Sequence, residues 1–304
     1  MEKPNKQFGF YLNNLEINKH PLKLQPYLKK QPLIILTMPF QHKFQKHKFK
    51  NGFETHNSIL DTVPYHPEVI FIGTYNHGWS WNTSDFFYGR GMYMWTILGN
   101  IFLNNRNKWT RQRTINNDVP SHDQIFKICI KGKLIFADIV KGIKENIPAI
   151  ELDNEKCVLV NGEYRWESKL ISNQKTGEYS DAHLDNLGSK NFLDDNVTEI
   201  VKYINATKSI KHVYFTFKSG NWIAEKLSEI KRKTRKDIKV CSLFSPTGNG
   251  FRKNLEEPFN DRAWGLTHCW IWNGLDHQSP INRPNYGHLD HQWLISTGVD
   301  PNNF

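Results

Sequence analysis

Two short segments of the sequence combine glycine, hydroxyl residues and asparagine in the way that ligand-binding loops do. Residues 73–82 read G-T-Y-N-H-G-W-S-W-N, and residues 244–252 read F-S-P-T-G-N-G-F-R. Glycine lets the backbone approach a ligand closely, while the polar side chains and N–H groups offer hydrogen bonds. Either segment alone also fits an ordinary turn with a helix cap. The presence of both favours a binding site.

Each segment follows a short β-branched or aromatic run, which predicts a buried strand. Such runs occupy residues 69–73, 133–138, 213–217 and 238–243. Helical spacing occurs between them, at residues 94–103, 122–130, 197–204 and 222–230. Strands that alternate with helices predict a parallel sheet covered on both faces, and ligands bind such sheets at the carboxyl ends of the strands. We therefore expect the two loops to meet at one edge, on neighbouring strands.

The order of the motifs resembles the uracil-DNA glycosylase superfamily, nearest its mismatch-specific and hypoxanthine-type branches. From Val69 to about Lys253 the chain reads F-I-G-T, D-F-F-Y-G-R, I-L-G-N-I-F, L-I-F-A-D-I-V, V-Y-F-T-F and S-P-T-G-N-G. The resemblance implies a three-layer αβα fold around a central four-stranded parallel sheet. It also implies an enzyme that acts on a base flipped out of DNA.

The resemblance assigns roles to individual residues. Asn76 falls where the mismatch-specific branch keeps the asparagine that positions the hydrolytic water, and Phe87 falls where an aromatic ring stacks on the flipped base. Residues 245–248 take the place of the motif that contacts the base and braces the opened duplex. His77 replaces the usual proline, and Ser245 replaces an asparagine or histidine. These two departures favour a modified base over plain uracil.

Hydrolysis of an N-glycosidic bond passes through an oxocarbenium-like sugar and expels the base. An enzyme must therefore place a water, stabilise the departing base and hold that base outside the stack. We assign the water to Asn76, with Asp85 as a second candidate. Asp138 matches an aspartate common in the superfamily, but a helix cap or a buried structural carboxylate is the favoured interpretation.

The remaining assignments concern the base and the DNA. Hydrogen bonds to the leaving base are assigned to His77, Ser245 and Asn249, and stacking to Phe87 or Tyr88. The predicted base-binding set also includes Gly73, Thr74 and Tyr75. The predicted DNA contacts are Arg90, Thr247, Gly248, Phe251, Arg252 and Lys253. Phe251 could insert into the base stack as an apolar wedge while Arg252 and Lys253 hold phosphates. The same three residues also fit the first turn of a helix.

Composition and charge agree with a polyanionic partner. The 304 residues carry 40 Lys and Arg against 30 Asp and Glu, a formal net charge of +10. Such an excess raises the odds of binding DNA, double- or single-stranded. The basic stretch at residues 42–50, H-K-F-Q-K-H-K-F-K, fits either a solvated loop or an arm that contacts a polyanion.

The chain divides by composition into a basic N-terminal extension (residues 1–66), a glycosylase-like domain (67–255) and a Trp/His-rich extension (256–304) packed on the same domain. The last extension shows no clear period, so we expect it to pack as irregular structure against the sheet. An insertion with a possible hairpin interrupts the domain at residues 150–190. No C-x-x-C pair is present and no apolar run reaches the roughly 18 residues of a membrane helix. We expect a cytoplasmic monomer without metal, cofactor or membrane contact.

Taken together, these features predict a monofunctional DNA glycosylase, since neither strand-end loop holds a lysine for Schiff-base chemistry. A modified base is the favoured substrate, and one candidate is a bulky hypermodified pyrimidine of the kind that phages place in their genomes, in which case the role would be antiviral defence. Repair of uracil or hypoxanthine is one alternative. A DNA-binding relative that has lost the chemistry is another.

Overall fold

A mixed β-sheet organises the computed structural model of the chain. The structure describes residues 41–78, 82–109, 119–144, 155–160, 163–168, 176–177, 181–217, 220–247, 261–274 and 286–304. Its strands are β1 (Lys46–Lys48), β2 (Glu54–His56), β3 (Ile59–Thr62), β4 (Val69–Gly73), β5 (Leu134–Asp138), β6 (Val140–Ile143), β7 (Glu155–Val160), β8 (Glu163–Ser168), β9 (Thr176–Gly177), β10 (Leu193–Asp195), β11 (His212–Phe215) and β12 (Lys239–Ser242). Its helices are α1 (Tyr93–Leu103), α2 (His122–Gly132), α3 (Asp181–Ser189), α4 (Val197–Ala206), α5 (Asn221–Lys233), α6 (Arg262–Trp272) and α7 (His291–Ser296), followed by a 3-10 turn at Pro301–Asn303.

Seven strands of the described residues form one sheet, in the order β1-β2-β3-β5-β4-β11-β12. The strands β5, β4, β11 and β12 are parallel and coincide with the runs predicted from the sequence. The predicted four-stranded sheet is nevertheless too small, because β3, β2 and β1 extend it antiparallel beside β5. These three strands fall within the predicted N-terminal extension. They are short and mix polar with apolar residues, so they leave little periodicity to detect.

The helices predicted from spacing are confirmed as α1, α2, α4 and α5, with ends that differ by a few residues. Local capping explains where α2 begins: Ser121 and Gln124 exchange side-chain and backbone hydrogen bonds in a capping box. The predicted hairpin is also present, because β7 pairs antiparallel with β8. It belongs to a second, three-stranded sheet, β7-β8-β9.

Side chains alternate between two cores on opposite faces of the main sheet. Phe71 and Phe136 point to an aromatic face, which is covered by α1, α2, α6 and α7. Ile70 and Ile72 point to an aliphatic face, which is covered by α3, α4 and α5. A strand that is buried on both faces has no polar side, and this explains why β4 and β5 read as continuous apolar runs.

The C-terminal extension contributes two of the helices on the aromatic face, although its sequence shows no helical period. Eight of the eleven residues of α6 are buried. One of them is Trp270, whose indole N–H donates to the Phe244 carbonyl at 2.9 Å. Trp293 in α7 donates in the same way to the Gly132 carbonyl at 3.2 Å. A helix buried almost all round has no polar stripe, so the expectation of irregular structure here is wrong.

The connections of the parallel strands determine where a ligand can bind. The chain leaves β4 toward α1 on the aromatic face, and it leaves the neighbouring β11 toward α5 on the aliphatic face. A crevice opens at the carboxyl ends of two strands whose connections diverge in this way. The switch point lies between β4 and β11. None of the described helices combines the length and the apolar character needed to cross a bilayer.

Candidate functional site

A buried carboxylate stands beside the switch point. Asp138, the last residue of β5, is only 1% exposed. Its Oδ2 accepts hydrogen bonds from Asn76 Nδ2 at 2.6 Å and from His42 Nε2 at 2.7 Å. Buried polar groups need such partners, because an unsatisfied one costs about 1–3 kcal/mol. The three side chains therefore form one unit, the Asp138 cluster.

The hydrogen bonds of His42 define its protonation. The backbone N–H of Phe44 donates to His42 Nδ1 at 3.0 Å, so this nitrogen is the acceptor of the ring. A neutral imidazole has one donor and one acceptor nitrogen, which places the proton on Nε2, facing Asp138. His42 is thus held as a neutral donor to the carboxylate.

Glycine is required opposite Asp138. Gly73 ends β4 and pairs in register with Asp138 of β5. A Cβ built on Gly73 would overlap Asp138 Oδ1 and would lie 3.0 Å from the Tyr88 hydroxyl oxygen. The close approach of both side chains explains why the strand ends in glycine.

Residues 41–44, here called the strap, run along the loop that carries Asn76. The Lys43 N–H donates to the Asn76 carbonyl at 2.7 Å, and the Gly78 N–H donates to the Gln41 carbonyl at 3.0 Å. On its other side the His42 N–H donates to the Lys141 carbonyl at 2.8 Å. The strap therefore holds the loop through backbone hydrogen bonds, and it holds Asp138 through the side chain of His42.

Two tyrosines connect the loop segments at this edge. Tyr88, at a positive φ of 63°, shares a hydrogen bond of 2.8 Å between its hydroxyl and Thr216 Oγ1, just after β11. Tyr75 packs its ring 6.1 Å from that of His42. Burial, and then the nearby charge of Asp194, raise the pKa of Tyr75 above its ordinary value, so this hydroxyl is neutral.

Phe87 does not present a stacking surface. Its side chain is 0% exposed and packs 5.4 Å from Phe44 and 5.9 Å from Phe136, centroid to centroid. An aromatic ring must expose a face to stack on a base, so the stacking role assigned to Phe87 requires that the strap move away. The pattern D-F-F-Y-G-R shows that aromatic residues are present, but it does not show which of them are buried in the core.

Asp85 and Arg90 are engaged with each other. Arg90 Nε and Nη2 lie 2.7 and 2.6 Å from Asp85 Oδ2, and Arg90 Nη1 donates to the Pro120 carbonyl at 2.7 Å. Burial raises the pKa of Asp85, but the hydrogen bond and charge of Arg90 and the charge of His122 outweigh it, so the pKa lies below its usual value. Asp85 as a base and Arg90 as a phosphate contact are therefore not favoured, because each neutralises the other.

The loop after β12 is built differently. Ser245 Oγ lies 3.0 Å from Thr247 Oγ1 and accepts from the Thr247 N–H at 3.3 Å. The expectation that the two loops follow neighbouring strands is wrong, because β11 lies between β4 and β12. Gly248, Asn249, Phe251, Arg252 and Lys253 lie outside the described residues.

The other predicted residues of the first loop lie close to the Asp138 cluster. His77 is 8% exposed and its backbone forms a β-bridge with His42. The Thr74 carbonyl accepts from the Val140 N–H at 3.0 Å. A pocket of about 440 Å³ opens between the strap and Gly78. Its lining consists of Gln41, His42, Lys43, Gln45, Lys46 and Gly78.

No protein-family model, curated protein or solved structure matches this chain. The relationship to the glycosylase superfamily therefore remains a prediction from the order of its motifs. No group of three or more His, Cys, Asp or Glu side chains within the described ranges is arranged to hold a metal.

The Asp138 cluster can orient one amide and place one negative charge. Because Asn76 Nδ2 is bound to Asp138, the amide plane is fixed and its carbonyl oxygen is left to accept from a water or a substrate hydroxyl. His42, which completes the cluster, is not among the residues predicted from the sequence. It lies in a stretch of lysines, and only its burial within that stretch distinguishes it.

Proposed function

We propose that the protein is a monofunctional DNA glycosylase, which hydrolyses the N-glycosidic bond of a nucleotide flipped out of DNA. The observation that carries the proposal is the hydrogen bond of 2.6 Å from Asn76 to the buried Asp138. It lies at the carboxyl end of β4, beside the switch point where an α/β sheet binds ligands. The parallel strands and the helices on both faces also support the three-layer arrangement expected from the resemblance.

In this proposal Asn76 positions the attacking water. Its amide donates to Asp138, and its carbonyl oxygen accepts a proton of the water held beneath the anomeric carbon. Positioning of this kind converts a bimolecular reaction into an effectively unimolecular one. Asp138 acts as a positioning residue, because its side chain is buried and reaches the water only through Asn76.

The charge of Asp138 serves the same reaction. Positive charge develops on the sugar as the bond to the base breaks. A fixed carboxylate in a water-poor site stabilises that charge more than it would in bulk water. His42 stays neutral and keeps the carboxylate oriented. Of the groups assigned to the leaving base, His77 is the one that adjoins the cluster: it follows Asn76 in the chain, and its backbone forms a β-bridge with His42.

The proposed substrate is a modified base, with antiviral defence as the biological role. The support is that His77 replaces the usual proline of the resembling families, and that Ser245 replaces the asparagine or histidine that would polarise a uracil carbonyl. The hydroxyl of Ser245 lies 3.0 Å from Thr247 Oγ1, within its own loop.

The deciding experiment compares wild type and Asn76→Ala on duplexes that carry different modified bases, with alkali used to cut abasic sites. We expect base release to fall at least about 100-fold in the variant, while DNA affinity changes little, because no phosphate contact is lost. Asn205→Ala is the matched control, since Asn205 makes its amide hydrogen bonds at the other end of the sheet. Equal losses of binding and release in Asn76→Ala would contradict the assigned role.

One observation favours the alternative of a DNA-binding relative without chemistry. Phe87, one of the two rings expected to stack on the base, is covered by Phe44 of the strap and exposes no face. Salt-sensitive DNA binding without release of any base from the panel would support this alternative over the enzyme.

A further inference from the structure

The pocket between the strap and Gly78 has the composition of an anion site. Of its six lining residues, Lys43 and Lys46 are cationic and Gln41 and Gln45 carry amides. The stretch from residue 41 to residue 50 contains four lysines and no acidic residue. A cavity lined by cations and amide donors is suited to a phosphate group, which accepts several charge-assisted hydrogen bonds.

The charges around this pocket are only weakly compensated. Within the ranges that the structure describes, Lys46 forms no ion pair, whereas its neighbour Lys48 lies 3.4 Å from Glu54. Lys43 Nζ donates to the Asn82 carbonyl at 2.5 Å, a neutral partner that leaves its charge unbalanced. The pKa of His47 is lowered, first by partial burial and then by the charges of His122 and Lys43.

The N-terminus of α5, the helix that follows β11, does not offer a competing phosphate site at the switch point. The N-terminus of α5 would be the natural place for an anion, because its first N–H groups are unpaired within the helix. Asp185 of α3 already occupies it and accepts from the N–H groups of Asn221, Trp222 and Ile223 at 3.0, 2.7 and 3.2 Å. The protein's own carboxylate takes the position that a phosphate would need.

The pocket is joined to the Asp138 cluster by two of its lining residues. His42 borders the pocket and donates to Asp138, and Gly78 belongs to the loop that carries Asn76. A group bound in the pocket would thus lie against His42, a member of the Asp138 cluster.

We propose that the pocket between the strap and Gly78 binds a backbone phosphate of the DNA strand that carries the flipped nucleotide, with Lys46 as its principal cation and Lys43 beside it. The inference rests on the proposed function for the identity of the strand. It adds a phosphate-contacting element formed by residues 41–46, separate from the contacts predicted at residues 247–253.

The experiment measures binding of a fluorescein-labelled DNA duplex by anisotropy between about 50 and 200 mM salt, for wild type, Lys46→Gln and Lys236→Gln. Lys236 is an exposed lysine in the turn before β12, at the opposite edge of the sheet, so its variant has the same change of charge. We expect Lys46→Gln to reduce the slope of log K against log salt by about 0.9, the value of one phosphate contact. Lys236→Gln should keep the wild-type slope.

Further measurements identify the source of the phosphate and check that the variant is folded. Inorganic phosphate at matched ionic strength should compete no better than chloride, because the strand supplies several contacts at once. Efficient competition would instead indicate a site for a free phosphate compound and overturn the inference. Lys46→Arg should restore the slope if charge is what matters, and thermal unfolding of Lys46→Gln checks that its fold is intact.

Failure of this inference can be told apart from failure of the proposed function. A normal slope in Lys46→Gln, with base release observed in wild type, would remove the phosphate site and leave the glycosylase. A reduced slope with no base release would retain the phosphate site on a protein that only binds DNA. Absence of salt-sensitive DNA binding in wild type would overturn the phosphate site.

Discussion

The loops that follow β4 and β12 contain similar residues but make different contacts. In the first, Asn76 donates to the buried Asp138 of the adjacent strand. In the second, Ser245 contacts Thr247, two residues further along the same loop. Both segments fit a ligand-binding loop by composition, but the first binds a carboxylate 62 residues away in the chain, whereas the hydroxyl contact between Ser245 and Thr247 is local.

Position in the sheet explains the difference. β4 lies between β5 and β11, so the loop that leaves it is flanked by Asp138 on one side and by Thr216 on the other. Within the described sheet β12 is the terminal strand, and it has a paired neighbour on one side only. A polar residue at the end of an interior strand meets partners from both neighbours, whereas one at the edge satisfies itself locally.

Removal of Asp138 should have the largest effect. Asp138→Ala leaves the buried His42 Nε2–H and the Asn76 amide without their acceptor, which we expect to lower the free energy of unfolding by about 2–5 kcal/mol. Urea unfolding followed by tryptophan fluorescence measures this. Asp138→Asn, which keeps one acceptor oxygen, should cost less. A loss below about 1 kcal/mol in Asp138→Ala would mean that the first loop is no better anchored than the second.

A methyl group at Gly73 should have the next largest effect. Gly73→Ala forces a Cβ against Asp138 Oδ1 and close to the Tyr88 hydroxyl, and overpacking of this kind costs about 1–3 kcal/mol. Gly91→Ala is the control, because a Cβ there meets nothing within 4 Å. Similar denaturation midpoints for the two variants would show that the end of β4 can adjust, and the contrast between the loops would weaken.

The sequence predicted the parallel strands, four of the helices and the loop with Asn76, because these depend on local runs and on turn chemistry. It did not predict the contact between His42 and Asp138, which are 96 residues apart in the chain. The basic stretch around His42 showed only its charge. Burial of one histidine among lysines is decided by the way the strap crosses the sheet edge, and no local pattern encodes that crossing.

The same reasoning accounts for the other differences. The pairing of Asp85 with Arg90 joins two residues five apart, and the motif D-F-F-Y-G-R does not by itself distinguish such a pair from a base and a phosphate contact. In α6 the apolar residues surround the helix, so the usual amphipathic signal is missing. Periodicity carries least information in two cases. One is a pair of side chains that compensate each other's charge or hydrogen bonds, and the other is an element without a polar face.

The pH dependence of stability should show a smaller difference between the two loops under alkaline conditions. The pKa of Tyr75 is raised by burial and by Asp194, so the folded chain keeps a proton that the unfolded chain, with a pKa near 10, loses. The stability that this group contributes is present below about pH 10 and is lost as the pH rises, by up to about 1.4 kcal/mol per pH unit. Tyr75→Phe should reduce the slope of unfolding free energy against pH above about pH 10. Ser245→Ala, which removes no titratable group, should keep the wild-type slope.

The smallest effect is expected at Ser245. Its hydroxyl pairs with Thr247 in a partly exposed turn, so Ser245→Ala should lower the free energy of unfolding by less than about 1 kcal/mol, as for a typical local hydrogen bond. Base release should fall far less than in Asn76→Ala, because the hydroxyl is not held toward the Asp138 cluster. Thr247→Val, which removes the partner hydroxyl, tests the same pair from the other side. If Ser245→Ala instead abolishes base release while stability is retained, the second loop must rearrange around the bound nucleotide, and the chemistry would be shared between the two loops.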